Sequence, residues 1–241
     1  MDDNARRLAD RWAFSPREEL EAGYCSRVYA DERRVLKVPW RGEEMTSGYR
    51  AAFDLSGWWG PEVYEGEESI GAILMERVVP GTTLDQANLP DREAMEIVSG
   101  LMAGLSKVDP AGYPTLREYY ADFEHPLLDK LLATEGERVF LHGDLHHFNI
   151  LWSEAGQRWV PIDPKAISGE REYEPIAFLR NCLEPLEGIP SLVRSRLDFF
   201  EGLGFDPWRV AAWCLADQLA DGDEPSAVAL RLREVLGEIV G

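Results

Sequence analysis

The period of the apolar positions changes along the chain, and that change divides it. Between residues 26 and 76 apolar side chains fall in short runs: Val28-Tyr29, Val35-Leu36-Lys37-Val38, residues 62–64 and residues 70–76. Runs of this length and composition predict strands. The charged stretch Asp31-Glu32-Arg33-Arg34 between the first two reads as a hairpin turn, which sets Lys37 inside the second strand. A short helix ending at Ser15-Pro16 precedes them, and residues 43–55 can form another, stopped by Trp58-Trp59-Gly60-Pro61.

Beyond Pro80-Gly81 the period lengthens. Ala94, Ile97, Val98, Leu101, Met102 and Leu105 give a helix over residues 91–108 one apolar face, and residues 116–132 and 192–200 repeat the pattern. Asp206-Pro207 is a helix start, with Asp as N-cap and Pro at the first helical position, leading into residues 208–219. A last amphipathic helix covers residues 226–240. One stretch of strand character interrupts this region, at 139–141, 150–152 and 159–162. The expected class is therefore α+β. A strand-rich N-terminal lobe over residues 1–79, with a hinge at 76–81, precedes a mainly helical lobe over 80–241.

With 45% apolar residues among 241, the chain can fill a sizeable core. No run approaches the roughly 18 apolar residues that span a bilayer, and the first ten residues are charged, so the expectation is a soluble, cytoplasmic protein. Cys25, Cys182 and Cys214 lack any CxxC spacing, which leaves them as packing residues. The net charge of -19 disfavours nucleic acid as partner, since phosphate binding needs clustered Lys and Arg. It suits a cationic small molecule better, although an acidic surplus also simply keeps a protein in solution.

The chemistry concentrates in Phe140-Leu141-His142-Gly143-Asp144-Leu145-His146-His147-Phe148-Asn149-Ile150-Leu151. A His two residues before an Asp, and an Asn five residues after it, is the spacing of a kinase catalytic loop. Phosphoryl transfer needs a carboxylate to accept the attacking hydroxyl's proton and hard oxygen ligands for magnesium. Asp144 supplies the first and His142 braces the loop. Asn149 supplies part of the second, and Asp163, at the end of Val160-Pro161-Ile162, supplies the rest. Lys37, on its Val-Leu-Lys-Val strand, stands where a kinase keeps the lysine that holds the α- and β-phosphates. Its helix partner is Glu43 or Glu44. A rival reading assigns zinc to His142, His146 and His147, three of the four histidines in the chain.

These segments, with Ile162-Asp163-Pro164-Lys165 and Phe178-Leu179-Arg180-Asn181, resemble the aminoglycoside phosphotransferase superfamily, and within it the streptomycin 6-kinase and hydroxyurea phosphotransferase family. The resemblance implies a bilobal protein-kinase-like fold and an ATP-dependent kinase of a hydroxyl on a small, cationic molecule, with Mg2+ as cofactor and GTP as an alternative donor. It implies that Leu74-Met75-Glu76-Arg77-Val78-Val79-Pro80-Gly81 is the interlobe hinge, its backbone near Glu76 and Val78 binding adenine. It also implies that Ser26, in Gly23-Tyr24-Cys25-Ser26-Arg27, meets the β-phosphate, and that the glutamate paired with Lys37 is Glu44 or falls near Tyr49. Glu170, Glu172 and Glu174, or Asp217, Asp221 and Asp223, are acidic candidates for the acceptor side or a solvated face. The alternatives are a kinase-like module that binds nucleotide or ligand without turnover, and a kinase of another small metabolite.

Overall fold

The computed structural model describes residues 1–20, 25–40, 45–221 and 225–241. The chain divides into two compact units, one of residues 1–88 with 148–166 and one of residues 89–147 with 167–241.

The first unit carries an antiparallel sheet in the order β1-β2-β3-β5-β4, built from β1 (Glu18–Leu20), β2 (Ser26–Ala30), β3 (Arg34–Pro39), β4 (Val63–Glu67) and β5 (Ala72–Glu76). Successive side chains on a strand point to opposite faces. Leu36 and Val38 on β3, with Ala72 and Leu74 on β5, therefore pack under α1 (Asp3–Arg11), where Leu8 and Trp12 complete a small core. Lys37, Ile73 and Met75 alternate onto the other face and line a narrow cavity beneath α2 (Ser47–Asp54). The helix expected over 43–55 starts, among the described residues, with Thr46 as N-cap.

A second sheet in this unit joins β6 (Pro80–Thr83), β8 (Ile150–Ser153) and β9 (Arg158–Pro161) in the order β6-β8-β9. Pro80-Gly81, read from sequence as punctuation at a single boundary, instead opens an edge strand. Its pairing with β8 brings residues 148–166 into the first unit. The positive φ of Gly81 (74°) produces the strand's irregular start.

The second unit is helical around a short β7 (Arg138–Leu141) and β10 (Ile167–Glu170) pair. Its helices are α3 (Asp91–Leu105), α4 (Leu116–Tyr119), α5 (Pro126–Ala133), α6 (Ile176–Leu179), α7 (Ile189–Gly202), α8 (Pro207–Ala220) and α9 (Ala227–Val240). The single helix expected over 116–132 is two, because Pro126 cannot donate to a preceding turn and begins a new helix, capped by His125 Nδ1 accepting from Leu127 N–H at 3.2 Å. Asp206 caps α8 as its sequence predicts, accepting from Trp208 and Arg209 N–H. Trp213 and Tyr173 are fully buried in the core that joins α8 to the rest of the unit. Gly169 on β10 lies so close to Leu116 that a Cβ there would meet its Cδ1 at 2.4 Å, so only glycine fits.

Buried ions also tie elements of this unit together. Arg196, 1% exposed on α7, donates to Asp91 at 2.7 Å and to the carbonyls of Phe178 and Asn181, each at 2.7 Å. This fixes the end of α6 and the residues after it. Arg209 and Trp213 both donate to Glu170, which is 1% exposed.

Candidate active site

In the first unit, Lys37 is 6% exposed and its Nζ donates to Asp163 Oδ1 at 2.8 Å. Register sets this up: Lys37 pairs with Ile73 on β5 and Val28 on β2, so it sits in the middle of the sheet with its side chain toward the cavity. Asp163 follows β9 with φ of 59°, a left-handed conformation that Asp tolerates better than most residues. Pro164 and Ile162 join it in lining the same cavity.

Asn149 lies across the β8–β9 hairpin from this point. Ile150 pairs with Pro161, and one step further Ile162 N–H donates to Asn149 C=O at 2.9 Å. A carboxamide at residue 149 and a carboxylate at residue 163 thus come from the same end of one hairpin. Two neighbouring hard oxygen donors fit Mg2+, which is usually held by one or two protein groups with phosphates and waters completing its shell.

In the second unit, β7 runs directly into His142, Gly143 and Asp144. His142 is fully buried, and its Nδ1 accepts from Asp144 N–H at 3.2 Å. Gly143 has φ of 78°, which turns the backbone sharply before Asp144 and favours glycine. Glu174 Oε2 accepts from Gly143 N–H at 3.3 Å, while Oε1 is buried without a partner among the described residues. Burial pushes the Glu174 carboxyl up to about 8, and the charge of Asp144 adds to the rise against the opposing backbone N–H groups of Gly143 and His142. At neutral pH it is held as the uncharged acid.

Asp144 lies beside His146 and Arg180. His146 Nε2 lies 3.5 Å from Oδ2, and Arg180 Nη2 lies 3.8 Å from Oδ1. At 3.8 Å and an effective dielectric of about 20, the gross attraction to Arg180 is about 4 kcal/mol. Arg180 Nη1 also pairs with Asp217 and lies 3.6 Å from Asp221. Burial is the largest single influence on the Arg180 guanidinium and opposes its charge, but the carboxylates of Asp217 and Asp144 outweigh it and hold the proton more firmly than usual. Asp217 is itself buried and accepts from Tyr120 Oη at 2.6 Å and Tyr173 Oη at 3.3 Å.

Of the residues named from sequence, Lys37 and Asp163 come together directly, and Asn149 joins Asp163 through the hairpin. Ser26 opens β2 and is buried. Glu76 closes β5 and Val78 is buried just beyond it, with Arg77 N–H donating to Arg33 C=O at 2.8 Å between them. Glu43, Glu44, Gly23, Tyr24 and Asp223 lie outside the described residues. Tyr49, on α2, lines the Lys37 cavity.

Two readings from sequence are corrected. The zinc set does not form: among the described residues no three His, Cys, Asp or Glu side chains converge, and His147 instead stacks on Phe178 at 4.3 Å between ring centres. Glu170, Glu174 and Asp217 do not form a solvated face, because all three are buried. Asp221 is exposed, its side chain 67% accessible. Sequence reasoning gave no role to Arg180, although one cation inside the apolar stretch of 176–183 signals a buried partner.

Residues 119–222 match the family model described as aminoglycoside/hydroxyurea antibiotic resistance kinase. A streptomycin 3''-kinase of Klebsiella pneumoniae is 30% identical over 238 residues, covering 86% of each chain. A hydroxyurea phosphotransferase of Kitasatospora aureofaciens is 32% identical over 205 residues, covering 71% of this chain and 56% of that protein. Among solved structures, a thermostable mutant of the aminoglycoside phosphotransferase APH(4)-Ia, in ternary complex with AMP-PNP and hygromycin B, matches with a TM-score of 0.63 at 21% identity, over 98% of this chain and 97% of that one. The choline kinase LicA from Streptococcus pneumoniae matches with a TM-score of 0.62 at 10% identity, over 99% of both. At these identities the structures carry the fold alone, which is the α+β, bilobal protein-kinase-like one. No helix among the described residues is long and apolar enough to cross a membrane. Kinship at 30% identity across most of both chains goes further: this chain belongs to the aminoglycoside/hydroxyurea antibiotic resistance kinase family and is a small-molecule phosphotransferase.

Proposed function

We propose that the chain transfers the γ-phosphoryl group of ATP to a hydroxyl of a small cationic molecule, with streptomycin as the first candidate. The contact of the buried Lys37 with Asp163 at 2.8 Å is the observation that carries this reading. An ammonium and a carboxylate so placed serve a nucleotide when the lysine turns to its phosphates and the carboxylate to a metal. Asn149 and Asp163 would hold Mg2+, which when bound would neutralise charge on the phosphates. Ser26 meets the β-phosphate and the backbone near Glu76 and Val78 holds adenine; GTP, which shares the triphosphate, is the alternative donor.

Asp144 acts as the base, with His142 fixing its backbone. It takes the proton of the acceptor hydroxyl as that oxygen forms a bond to the γ-phosphorus, and the bond from phosphorus to the bridging oxygen of the leaving ADP breaks. Acceptors bearing ammonium or guanidinium groups suit the exposed Asp221 and the acidic surplus of the chain. Relatives named for streptomycin and for hydroxyurea support the aminoglycoside and hydroxyurea classes alike.

The test is phosphoryl transfer from Mg-ATP to a panel of streptomycin, other aminoglycosides, hydroxyurea and choline, read by mass shift of the acceptor. A phosphorylated aminoglycoside supports the reading. Nucleotide binding with no phosphorylated acceptor in the panel would instead favour a module that binds without turnover.

A further inference from the structure

We infer that Arg180 is a positioning residue for the base, anchored in the core at one end and aimed at Asp144 with the other. The inference rests on Asp144 being that base.

Arg180 follows α6, its side chain only 17% exposed, and its two terminal nitrogens serve different partners. Nη1 is tied to Asp217 on α8. Asp217 is tied in turn to Tyr120 and Tyr173, whose hydroxyls lie 2.9 Å apart. Tyr120 is the C-cap of α4 and Tyr173 ends a 3-10 turn, so three separate elements fix this anchor. Nη2 lies 3.8 Å from Asp144 Oδ1. A planar guanidinium with one edge locked has no freedom left for the other, so the position of Nη2 is inherited from the core. An arginine serving only to neutralise Asp217 would not need its second nitrogen beside the base. Arg180 therefore orients Asp144 toward the acceptor hydroxyl and keeps a positive charge beside it while the proton moves.

Removing Arg180 alone would leave Asp217 buried and unpaired, and the protein could fail to fold for that reason. The variant to make is the double Arg180→Met, Asp217→Asn, which removes both charges and leaves Asn to accept from the two tyrosines. The expected result is a protein that melts within a few degrees of wild type and binds ATP within about twofold, with kcat for acceptor phosphorylation down about 30-fold or more. Arg180→Lys retains the charge but not the fork, and is expected to recover part of that loss. Guanidinium ion at millimolar concentration is expected to restore part of kcat to the double Arg180→Ala, Asp217→Asn, without restoring Asp144→Asn.

A folded double variant with kcat within about threefold of wild type would overturn the inference. So would a loss confined to the KM of either substrate. Full activity in Asp144→Asn would overturn the parent reading instead, and the two failures are told apart by that one variant.

Discussion

Replacing Glu174 with Gln tests whether the loop carrying Asp144 is held by a neutral acid. In the fold the carboxyl ionises at about 8, chiefly because it is buried, against a usual value of 4.5. Between those limits the folded protein carries a proton that the unfolded chain has released. The number of protons bound is therefore greater in the native state, and stability falls as pH rises through this window. At 1.36 kcal/mol for each pH unit, the separation puts the full effect at roughly 5 kcal/mol, an upper bound reached above pH 8. Gln cannot ionise, yet its amide oxygen can still accept from Gly143 N–H. Urea unfolding of both proteins at pH 5, 6, 7 and 8 measures the difference directly. The expected outcome is that Glu174→Gln gains on wild type as pH rises, by up to about 1.4 kcal/mol per pH unit. Parallel stability curves across the range would refute the neutral-acid reasoning.

Other perturbations act on separate parts. Lys37→Met is expected to lower kcat/KM for ATP by roughly 10- to 150-fold, the loss of one charge-assisted contact, with little change in the acceptor's KM; steady-state kinetics with each substrate varied checks this. Asn149→Ala is expected to raise the Mg2+ concentration needed for half-maximal rate by about tenfold or more, and EDTA to abolish transfer reversibly, as titration of the metal will show. Arg196→Met leaves Asp91 half-buried without its partner and frees the Phe178 and Asn181 carbonyls. It is expected to cost about 3–5 kcal/mol in chemical denaturation.

β3, which carries Lys37, and β7 and β9, which lead to Asp144 and Asp163, were legible because each is a short apolar run, and the chemistry because the spacing of His142, Asp144 and Asn149 is specific. What escaped was non-local. β6 and β10 have little strand character of their own and exist because β8 and β7 offer them edges. The split after Tyr120 needed one proline, Pro126, to be weighed against a continuing apolar pattern. Acidic residues were hardest to place, since a buried Glu170 and an exposed Asp221 look alike in a sequence. The burial of Glu170 depends on partners such as Arg209, which lies 39 positions away.

The assignment of Asp144 as the base is tested most directly by single-turnover transfer of labelled γ-phosphoryl from Mg-ATP to an accepted substrate, comparing wild type with Asp144→Asn. A rate lowered by about 100-fold or more, with ATP affinity unchanged, is what the account predicts. Transfer by Asp144→Asn at the wild-type rate would contradict it.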